Sequence, residues 1–189
     1  MVTLQDSDIV SALQENGERG FRLLMTKYKQ VVYWHIRRLV VSHDDAQDAA
    51  QETFIRVFRS FGQFKGKDSL EQLQEKSSLA AWIYRIATNE ALRILQRRHN
   101  EQLSLENVLT EANRLKAENY VDYNDLEAVK LQKAILSLPT KQQLAFNLRY
   151  YDELGYDEIA NITGSTPANV KANYHIAKEK IVKYMKTND

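Results

Sequence analysis

The sequence predicts an all-α protein on the basis of three observations. Only 6 Gly and 2 Pro occur in 189 residues, which leaves few positions for the turns that a many-stranded fold needs. Residues that favour helices, among them Leu, Ala, Glu, Gln, Lys and Arg, are abundant. Apolar residues recur at steps of three and four over residues 7–62 and 78–99. With 43% hydrophobic and 27% charged residues, the chain can bury a helical core.

Composition also excludes several classes of function. The chain has no cysteine, which rules out disulfides, thiolate metal sites and a cysteine nucleophile. Its four histidines lack metal-ligand spacing, and no acid is paired with a nucleophile, so we expect no catalytic residue, metal or cofactor, and no enzyme. The acidic N-terminus and the lack of a long apolar run indicate a cytoplasmic protein. A net charge of +1 means that any nucleic-acid binding must come from local basic patches.

The predicted organisation is two helical domains joined by a flexible linker, with domains at residues 1–99 and 126–189 and the linker at residues 100–125. Periodicity weakens in the linker, where acids outnumber bases. The acids are Glu101, Glu106, Glu111, Glu118, Asp122 and Asp125, and the bases are Arg114 and Lys116. Such a segment is expected to be solvated.

Residues 45–61 predict an amphipathic helix in the first domain. The predicted core face consists of Ala46, Ala49, Ala50, Thr53, Phe54, Val57, Phe58 and Phe61. The opposite face carries Asp48, Glu52, Ile55 and Arg59, a polar stripe with one aliphatic side chain. Ile55 is either a partner contact or an ordinary exposed isoleucine beside solvated charges.

Residues 78–99 predict a second helix with an unusual side. That side carries Trp82, Arg85, Asn89, Arg93 and Gln96, and Arg97 and Arg98 extend its positive end. Cations for phosphates, a ring for stacking and an amide for base edges are typical of single-stranded DNA recognition. The alternative is a tryptophan at the core boundary with cations placed favourably near a helix C-terminus.

Residues 156–177 predict a helix-turn-helix. Gly164 lies where a sharp turn requires positive φ, and Thr166 followed by Pro167 is a typical helix start. A packing stripe is predicted for Val170, Tyr174, Ala177, Ile181 and Tyr184. Lys171, His175 and Lys178 point elsewhere and could meet a major groove. A helical hairpin whose charged side faces water fits the same spacing.

Three segments then identify the chain as similar to a known family. They are DDAQDAAQETFIRVFRSFGQFKG at 44–66, AWIYRIATNEALRILQRR at 81–98, and LQKAILSLPTKQQLAFNLRYYDELGYDEIANITGSTPANVKANYHIAKEKI at 131–181. In this order they resemble the extracytoplasmic-function (ECF) class of the sigma-70 family of bacterial RNA polymerase sigma factors. The resemblance implies a region 2 bundle for residues 1–99 and a region 4 helix-turn-helix for residues 126–189.

The resemblance also implies roles for particular residues. By this resemblance, the residues that contact the clamp helices of the largest polymerase subunit are Asp48, Gln51, Glu52, Ile55 and Arg59. Recognition of the minus-ten element falls to Trp82, Arg85, Asn89, Arg93, Arg97 and Arg98, with Asn89 lining a pocket for a flipped base. Recognition of the minus-thirty-five element falls to Thr166, Asn169, Lys171, Asn173, His175 and Lys178.

Two departures from the family pattern limit what can be transferred. Ala172, Asn173 and Ile176 stand where relatives often carry Ser, Arg and Arg, so promoter sequence does not carry over. Residues 67–81 form an insertion where the family has a short loop.

The implied function is that of a dissociable specificity subunit, which binds core polymerase, recognises two promoter elements and promotes melting without ATP. Its implied partners are the clamp of the largest subunit, the flap of the second-largest subunit, promoter DNA, and an anti-sigma factor able to hold it at the inner membrane. No stable homo-oligomer is expected. Two rivals remain: a helix-turn-helix repressor or activator that binds palindromic duplex by itself, and an interaction module such as an anti-sigma decoy.

Overall fold

The computed structural model describes residues 4–64, 78–101 and 126–187, and within those ranges every regular element is helical, which confirms the all-α prediction. The helices are α1 (Asp6–Glu15), α2 (Gly17–Val40), α3 (His43–Ser60), α4 (Leu79–Glu101), α5 (Leu126–Leu136), α6 (Thr140–Tyr150), α7 (Tyr156–Thr163) and α8 (Pro167–Thr187), with a 3₁₀ turn at Phe61–Gln63. Among these helices, none is long and apolar enough to cross a bilayer. The linker lies outside the described residues except at positions 100 and 101. Residues 67–77 of the insertion also lie outside them.

Helices α1 to α4 pack into an N-terminal lobe around one apolar core. Ile9 of α1, Leu24 and Ile36 of α2, and Ile83 of α4 are completely buried there. The helix ends are set locally: the Ser42 side chain accepts a hydrogen bond from the Asp45 N–H at 3.3 Å, which satisfies one orphan amide of α3. The core packs α3 against α4, and the cap fixes where α3 begins.

The contact between α1 and α2 depends on Gly20. A Cβ atom at this position would lie 2.3 Å from the Leu13 backbone nitrogen, inside any possible contact distance. The glycine therefore permits an approach of the two helices that no other residue allows.

Helices α5 to α8 form a C-terminal lobe with apolar clusters on both sides of α6. The predicted helix-turn-helix is confirmed as α7 and α8. Gly164 has a φ of 63° in the turn. The Thr166 hydroxyl oxygen accepts from the Asn169 N–H at 3.2 Å, and Pro167 is the first residue of α8. The start of the second helix was thus predictable from three residues.

Replacing Gly164 with alanine is expected to lower the free energy of unfolding by about 1 kcal/mol, because a Cβ atom disfavours a left-handed backbone. No atom lies within 4 Å of that Cβ position, so backbone strain is the whole effect. Urea unfolding measures it. Gly62→Ala is the matched control, since Gly62 is equally open and has no positive φ. Equal losses in the two variants would contradict this explanation.

The predicted core face of α3 is wrong at Phe58. The structure leaves Phe58 50% exposed and Phe61 partly exposed, whereas Phe54 and Val57 are buried. At 100° per residue, Phe58 lies at the edge of the predicted face, where it meets the start of α2 and not the core. Its ring packs edge-on against Phe21, with 5.2 Å between centroids.

The two lobes touch each other. Helix α4 packs along α7, and α2 packs against α6. Leu144 of α6 joins the apolar core of the N-terminal lobe, and Tyr84 of α4 joins an apolar cluster of the C-terminal lobe.

Candidate functional site

The exposed face of α3 gathers the residues predicted to bind polymerase, and is called the α3 face below. Asp48, Gln51, Ile55 and Arg59 are exposed, and Glu52 is half-buried. Glu52 accepts a hydrogen bond from Arg56 Nε at 2.9 Å. The α3 face is therefore a charged surface around one aliphatic side chain, and Ile55 is 43% exposed.

Phe58 enlarges the apolar part of the α3 face. It lies three residues after Ile55, so the two exposed side chains are neighbours on the helix surface. The sequence pattern predicted that Phe58 is in the core. Its position at the edge of the predicted core face on the helical wheel was the one signal that favoured exposure. The pair gives the α3 face an apolar centre that one isoleucine would not provide.

The outer side of α4, called the α4 face, exposes five of the polar residues predicted there. They are Arg85, Asn89, Arg93, Gln96 and Arg97. Asn89 borders a shallow depression that Arg56, Arg59 and Ser60 of α3 also line. The α3 face and the α4 face are thus adjacent surfaces of one lobe.

Arg56 ties these two helices together. Its Nε atom lies 2.9 Å from carboxylate oxygens of both Glu52 on α3 and Glu90 on α4. Glu90 is buried and is also 3.4 Å from Arg93 Nη1. Because a buried carboxylate needs compensating charge, Glu90 orients Arg56 and Arg93 and keeps the spacing between α3 and α4 fixed.

Two residues predicted for minus-ten recognition lie elsewhere. Trp82 is half-buried and packs on Phe64, with 5.1 Å between ring centroids. Arg98 donates to the Val40 carbonyl at 2.7 Å and is also bonded to the Asp45 carboxylate. The structure therefore does not bring Trp82 and Arg98 into the exposed row of the α4 face.

The exposed side of α8 presents most of the residues predicted for minus-thirty-five recognition. Thr166, Asn169, Lys171, His175 and Lys178 are exposed. Asn173 is half-buried, and its Nδ2 donates to the Asn169 carbonyl at 2.9 Å. It also lines a groove of about 330 Å³ that Leu92 of α4 and Leu144 of α6 border.

The basic side of α8 extends further than predicted. His175 and Lys178 continue into a shallow groove that Val182, Lys183 and Lys186 line. The spacing of Lys171, His175, Lys178 and Lys186 on one helix could have revealed this continuation. Helix α8 thus presents cations along nearly its whole exposed length.

A buried polar cluster between the lobes was not predicted from the sequence. Asp152, in the loop between α6 and α7, receives Arg38 Nη2 at 2.5 Å and His35 Nδ1 at 3.1 Å. The Tyr84 hydroxyl donates to the same carboxylate at 3.3 Å, and His35 Nε2 lies 2.9 Å from Thr88 Oγ1. The Asp152 side chain is only 5% exposed. One carboxylate of the C-terminal lobe therefore joins α2 and α4 of the N-terminal lobe.

The protonation states of Asp152 and Tyr84 follow from the contacts within this cluster. Burial alone would raise the pKa of Asp152, but the interactions with His35 and then with Arg38 outweigh it and hold the pKa below the ordinary value of 3.8. Burial, followed by the charge of Asp152, raises the pKa of Tyr84, so its hydroxyl keeps its proton and donates. The cluster is therefore an ionised carboxylate with three donors.

The pH dependence of stability follows from the sign of this shift. Because the pKa of Asp152 is lower in the folded chain, its contribution to stability is full above about 3.8 and is lost as pH falls through the folded value. We expect Asp152→Asn to reduce the free energy of unfolding near neutral pH, and the difference from wild type to shrink progressively as pH falls below 3.8. Urea unfolding across a pH series measures this. Asp157→Asn, an exposed carboxylate of α7, is the control. A difference that grows on acidification would contradict the assignment.

Comparisons with known proteins match both lobes. Residues 24–101 match the family model for Sigma-70 region 2, and residues 128–181 match the model for Sigma-70, region 4. Together the two models cover well over half of the chain.

Curated relatives match along almost the whole length. The chain is 29% identical over 188 residues to the RNA polymerase sigma-H factor of Pseudomonas aeruginosa, covering 95% of this chain and 93% of that one. It is 29% identical over 192 residues to the ECF RNA polymerase sigma-E factor of Escherichia coli, covering 94% and 93%.

Two solved structures share the fold. CnrH, solved in complex with the cytosolic domain of CnrY, matches with a TM-score of 0.71 at 17% identity, covering 97% of this chain and 99% of that one. The sigma factor RpoE, solved with the anti-sigma factor NepR from Bartonella quintana, matches with a TM-score of 0.68 at 22% identity, covering 89% and 98%.

Proposed function

This chain belongs to the ECF class of the sigma-70 family of RNA polymerase sigma factors, and we propose that its three exposed surfaces divide the work of transcription initiation. It binds core RNA polymerase, directs it to specific promoters and promotes DNA melting. The α3 face contacts polymerase, the α4 face takes the separated strand at the minus-ten element, and α8 reads the minus-thirty-five element. The proposed domain limits are residues 1–99 and 126–189.

Polymerase binding is assigned to the α3 face because its apolar centre stays exposed, with Ile55 at 43% and Phe58 at 50% exposure. Ile55 and Phe58 are exposed side by side and are surrounded by Asp48, Glu52 and Arg59. An apolar centre with a charged rim is the composition of a protein interface. We propose that this pair inserts into the clamp of the largest subunit and that the rim sets its orientation.

Strand capture is assigned to the α4 face because of its order along the helix. Arg85, Asn89, Arg93 and Arg97 follow at steps of four, so they run for about 18 Å at 1.5 Å per residue. Arginines can hold successive phosphates, and an amide between them can reach a base edge. In this proposal Trp82 and Arg98 act as positioning residues, since Trp82 supports α4 on Phe64 and Arg98 fastens its end.

Melting then requires no chemical energy source. Extruding a base costs a few kcal/mol, and hydrogen bonds and phosphate contacts on the α4 face return a comparable amount. Binding of the separated strand therefore drives its separation. The chain acts by binding and makes or breaks no bond.

Duplex reading is assigned to α8, the second helix of a helix-turn-helix. The N-terminal part of such a helix meets base edges while its flanks meet phosphates. We assign Thr166, Asn169 and Lys171 to the first group, and His175, Lys178 and Lys186 to phosphates. Asn173 joins the base contacts once it leaves the groove that it shares with Leu92.

Further partners complete the proposal. We propose that the flap of the second-largest subunit holds the C-terminal lobe, and that an anti-sigma factor binds this chain, since the sigma factor RpoE of similar fold was solved with the anti-sigma factor NepR. The proposed location is the cytoplasm, and an anti-sigma factor that is itself anchored in the inner membrane would hold the chain there.

The observation that carries the proposal is the match of both lobes, in order, to regions 2 and 4. The test adds the purified chain to sigma-free core polymerase with genomic promoter templates. Specific transcript starts are expected, and their absence on every promoter would overturn the proposal. A repressor or activator would instead bind palindromic duplex without polymerase. A decoy would bind polymerase and leave the duplex closed.

A further inference from the structure

The centre of the outward side of α8 is apolar, although α8 is the helix assigned to duplex reading. Ala168, Ala172 and Ile176 follow at steps of four and are all exposed, and Ile176 is 41% exposed. At 3.6 residues per turn, they lie more than about 100° around the helix axis from the buried side, which Val170 and Ala177 occupy. These three side chains therefore point away from the lobe and toward a bound duplex.

Polar side chains occupy the two flanks of this apolar centre. Lys171 and His175 are exposed on one flank, and Asn169 and Asn173 lie on the other. Asn173 Nδ2 donates to the Asn169 carbonyl at 2.9 Å, so this amide donor is already used within α8. The side chains at positions 168, 172 and 176 have neither a donor nor an acceptor. The bases that they face are therefore read by apolar contact and not by hydrogen bonds.

The length of the apolar centre fits a major groove. Ala168 and Ile176 are eight residues apart, which is about 12 Å at 1.5 Å per residue, and the groove is about 12 Å wide. Two alanines let the helix axis approach the base edges closely. Glu179, which is exposed one turn further on, carries a carboxylate that DNA phosphates repel. The part of α8 that enters the groove therefore ends near Ile176.

Thymine is the base whose chemistry matches an isoleucine and an alanine in this position. Its C5-methyl group is the apolar feature that distinguishes it in the major groove. The Cβ atoms of residues one turn apart are separated by about 5–6 Å, and successive base pairs by roughly 3.4 Å. Ala172 and Ile176 can therefore reach methyl groups one or two base pairs apart. The cations Lys171 and Lys178 favour a nucleic acid over an apolar protein partner, since they match the phosphates beside such a contact.

We propose that Ile176, together with Ala172, is a specificity-determining residue that selects thymine in the upstream promoter element by contact with C5-methyl groups. This inference rests on the proposed function, because it takes α8 as the helix that reads the minus-thirty-five element. The cationic flank holds the backbone, and the apolar centre decides which bases are accepted.

Removal of single methyl groups from the DNA tests the contact without changing the protein. Holoenzyme assembled from the full chain and core polymerase first selects duplexes from a library randomised over the minus-thirty-five element. Thymines one or two base pairs apart should be enriched, and a selection without them would overturn the inference. Each selected thymine is then replaced by uracil, which lacks only the methyl group. A buried methyl contributes about fourfold in affinity, so each replacement should weaken binding by about that factor. Unchanged affinity at every position would overturn the inference.

Ile176→Ala should remove most of the effect at one of the selected positions. The ratio of affinities for thymine and uracil there should fall to nearly one, while the ratio at the position read by Ala172 stays at the wild-type value. Val182→Ala is the matched control, because Val182 is a 43% exposed aliphatic residue of the same helix that lies beyond Glu179. It should keep both ratios. Equal changes of the ratios in the two variants would overturn the role of Ile176.

Ile176→Arg provides a change of specificity as the second measurement. A guanidinium group donates to O6 and N7 of guanine, so the library selection should return guanine in place of one thymine. Selection of the same thymines by this variant would overturn the inference. A wild-type holoenzyme that starts no transcript on any promoter would overturn the proposed function, whereas specific starts that are insensitive to uracil would overturn this inference alone.

Discussion

Replacing Ile55 with glutamate is expected to lower the affinity for core RNA polymerase by about 100-fold or more. The variant loses the transfer energy of a buried isoleucine, about 1.5–3 kcal/mol, and places a carboxylate in an apolar contact, which costs several kcal/mol further. Every 1.4 kcal/mol is tenfold in affinity. The lobe should stay folded, because Ile55 is 43% exposed and outside the buried core.

Val31→Glu is the matched control for this prediction. Val31 is an aliphatic residue of α2 with 41% exposure, outside the α3 face. The same change of charge there should leave polymerase affinity within about twofold of wild type. Titration of labelled chain with core polymerase measures both variants, and urea unfolding verifies their stability. Equal losses of affinity in the two variants, or none in either, would contradict the docking role of the α3 face.

Replacing Asn89 with alanine is expected to lower the yield of open promoter complex by about tenfold while polymerase affinity stays unchanged. The Asn89 side chain is exposed, so folding does not require its amide. A bidentate contact between an amide and a base edge contributes about 1–3 kcal/mol, and this contact exists only once the strands separate. The substitution therefore acts on melting and not on assembly.

Gln30→Ala controls for the loss of an exposed amide. Gln30 lies on α2, outside both the α3 face and the α4 face, and it is exposed. It should change neither polymerase binding nor open-complex yield. Permanganate reactivity of unpaired thymines reports the yield, and the labelled-chain titration reports binding. If Asn89→Ala reduced both quantities by the same factor, the base pocket would be excluded.

Much of the fold could be predicted from the sequence because its determinants are local. A helix is encoded in apolar spacing, and its start in one or two capping residues, so the turn at Gly164 and the start of α8 at Pro167 were predictable. The α3 face was predictable for the same reason, since Ile55 interrupts a polar stripe on one helix.

The remaining features depend on contacts between distant residues. Asp152 meets His35 and Arg38 across more than a hundred residues, and no periodicity relates those positions. Phe58 was misassigned because a helical wheel shows which residues of α3 share a side. It does not show that the neighbouring helix α2 begins beside Phe58, which leaves its ring half exposed. Trp82 matches the pattern of a stacking platform, yet only the tertiary fold shows that Phe64 covers it.

Permanganate mapping of a promoter duplex tests most directly whether both lobes, working on one polymerase, hold the strands apart. The duplex is probed with core polymerase alone, with this chain alone, and with the two together, in the absence of ATP. We predict reactive thymines near the minus-ten element only when both proteins are present. A duplex that stays unreactive in that mixture, although chain and polymerase are shown to be bound to each other, would contradict the account.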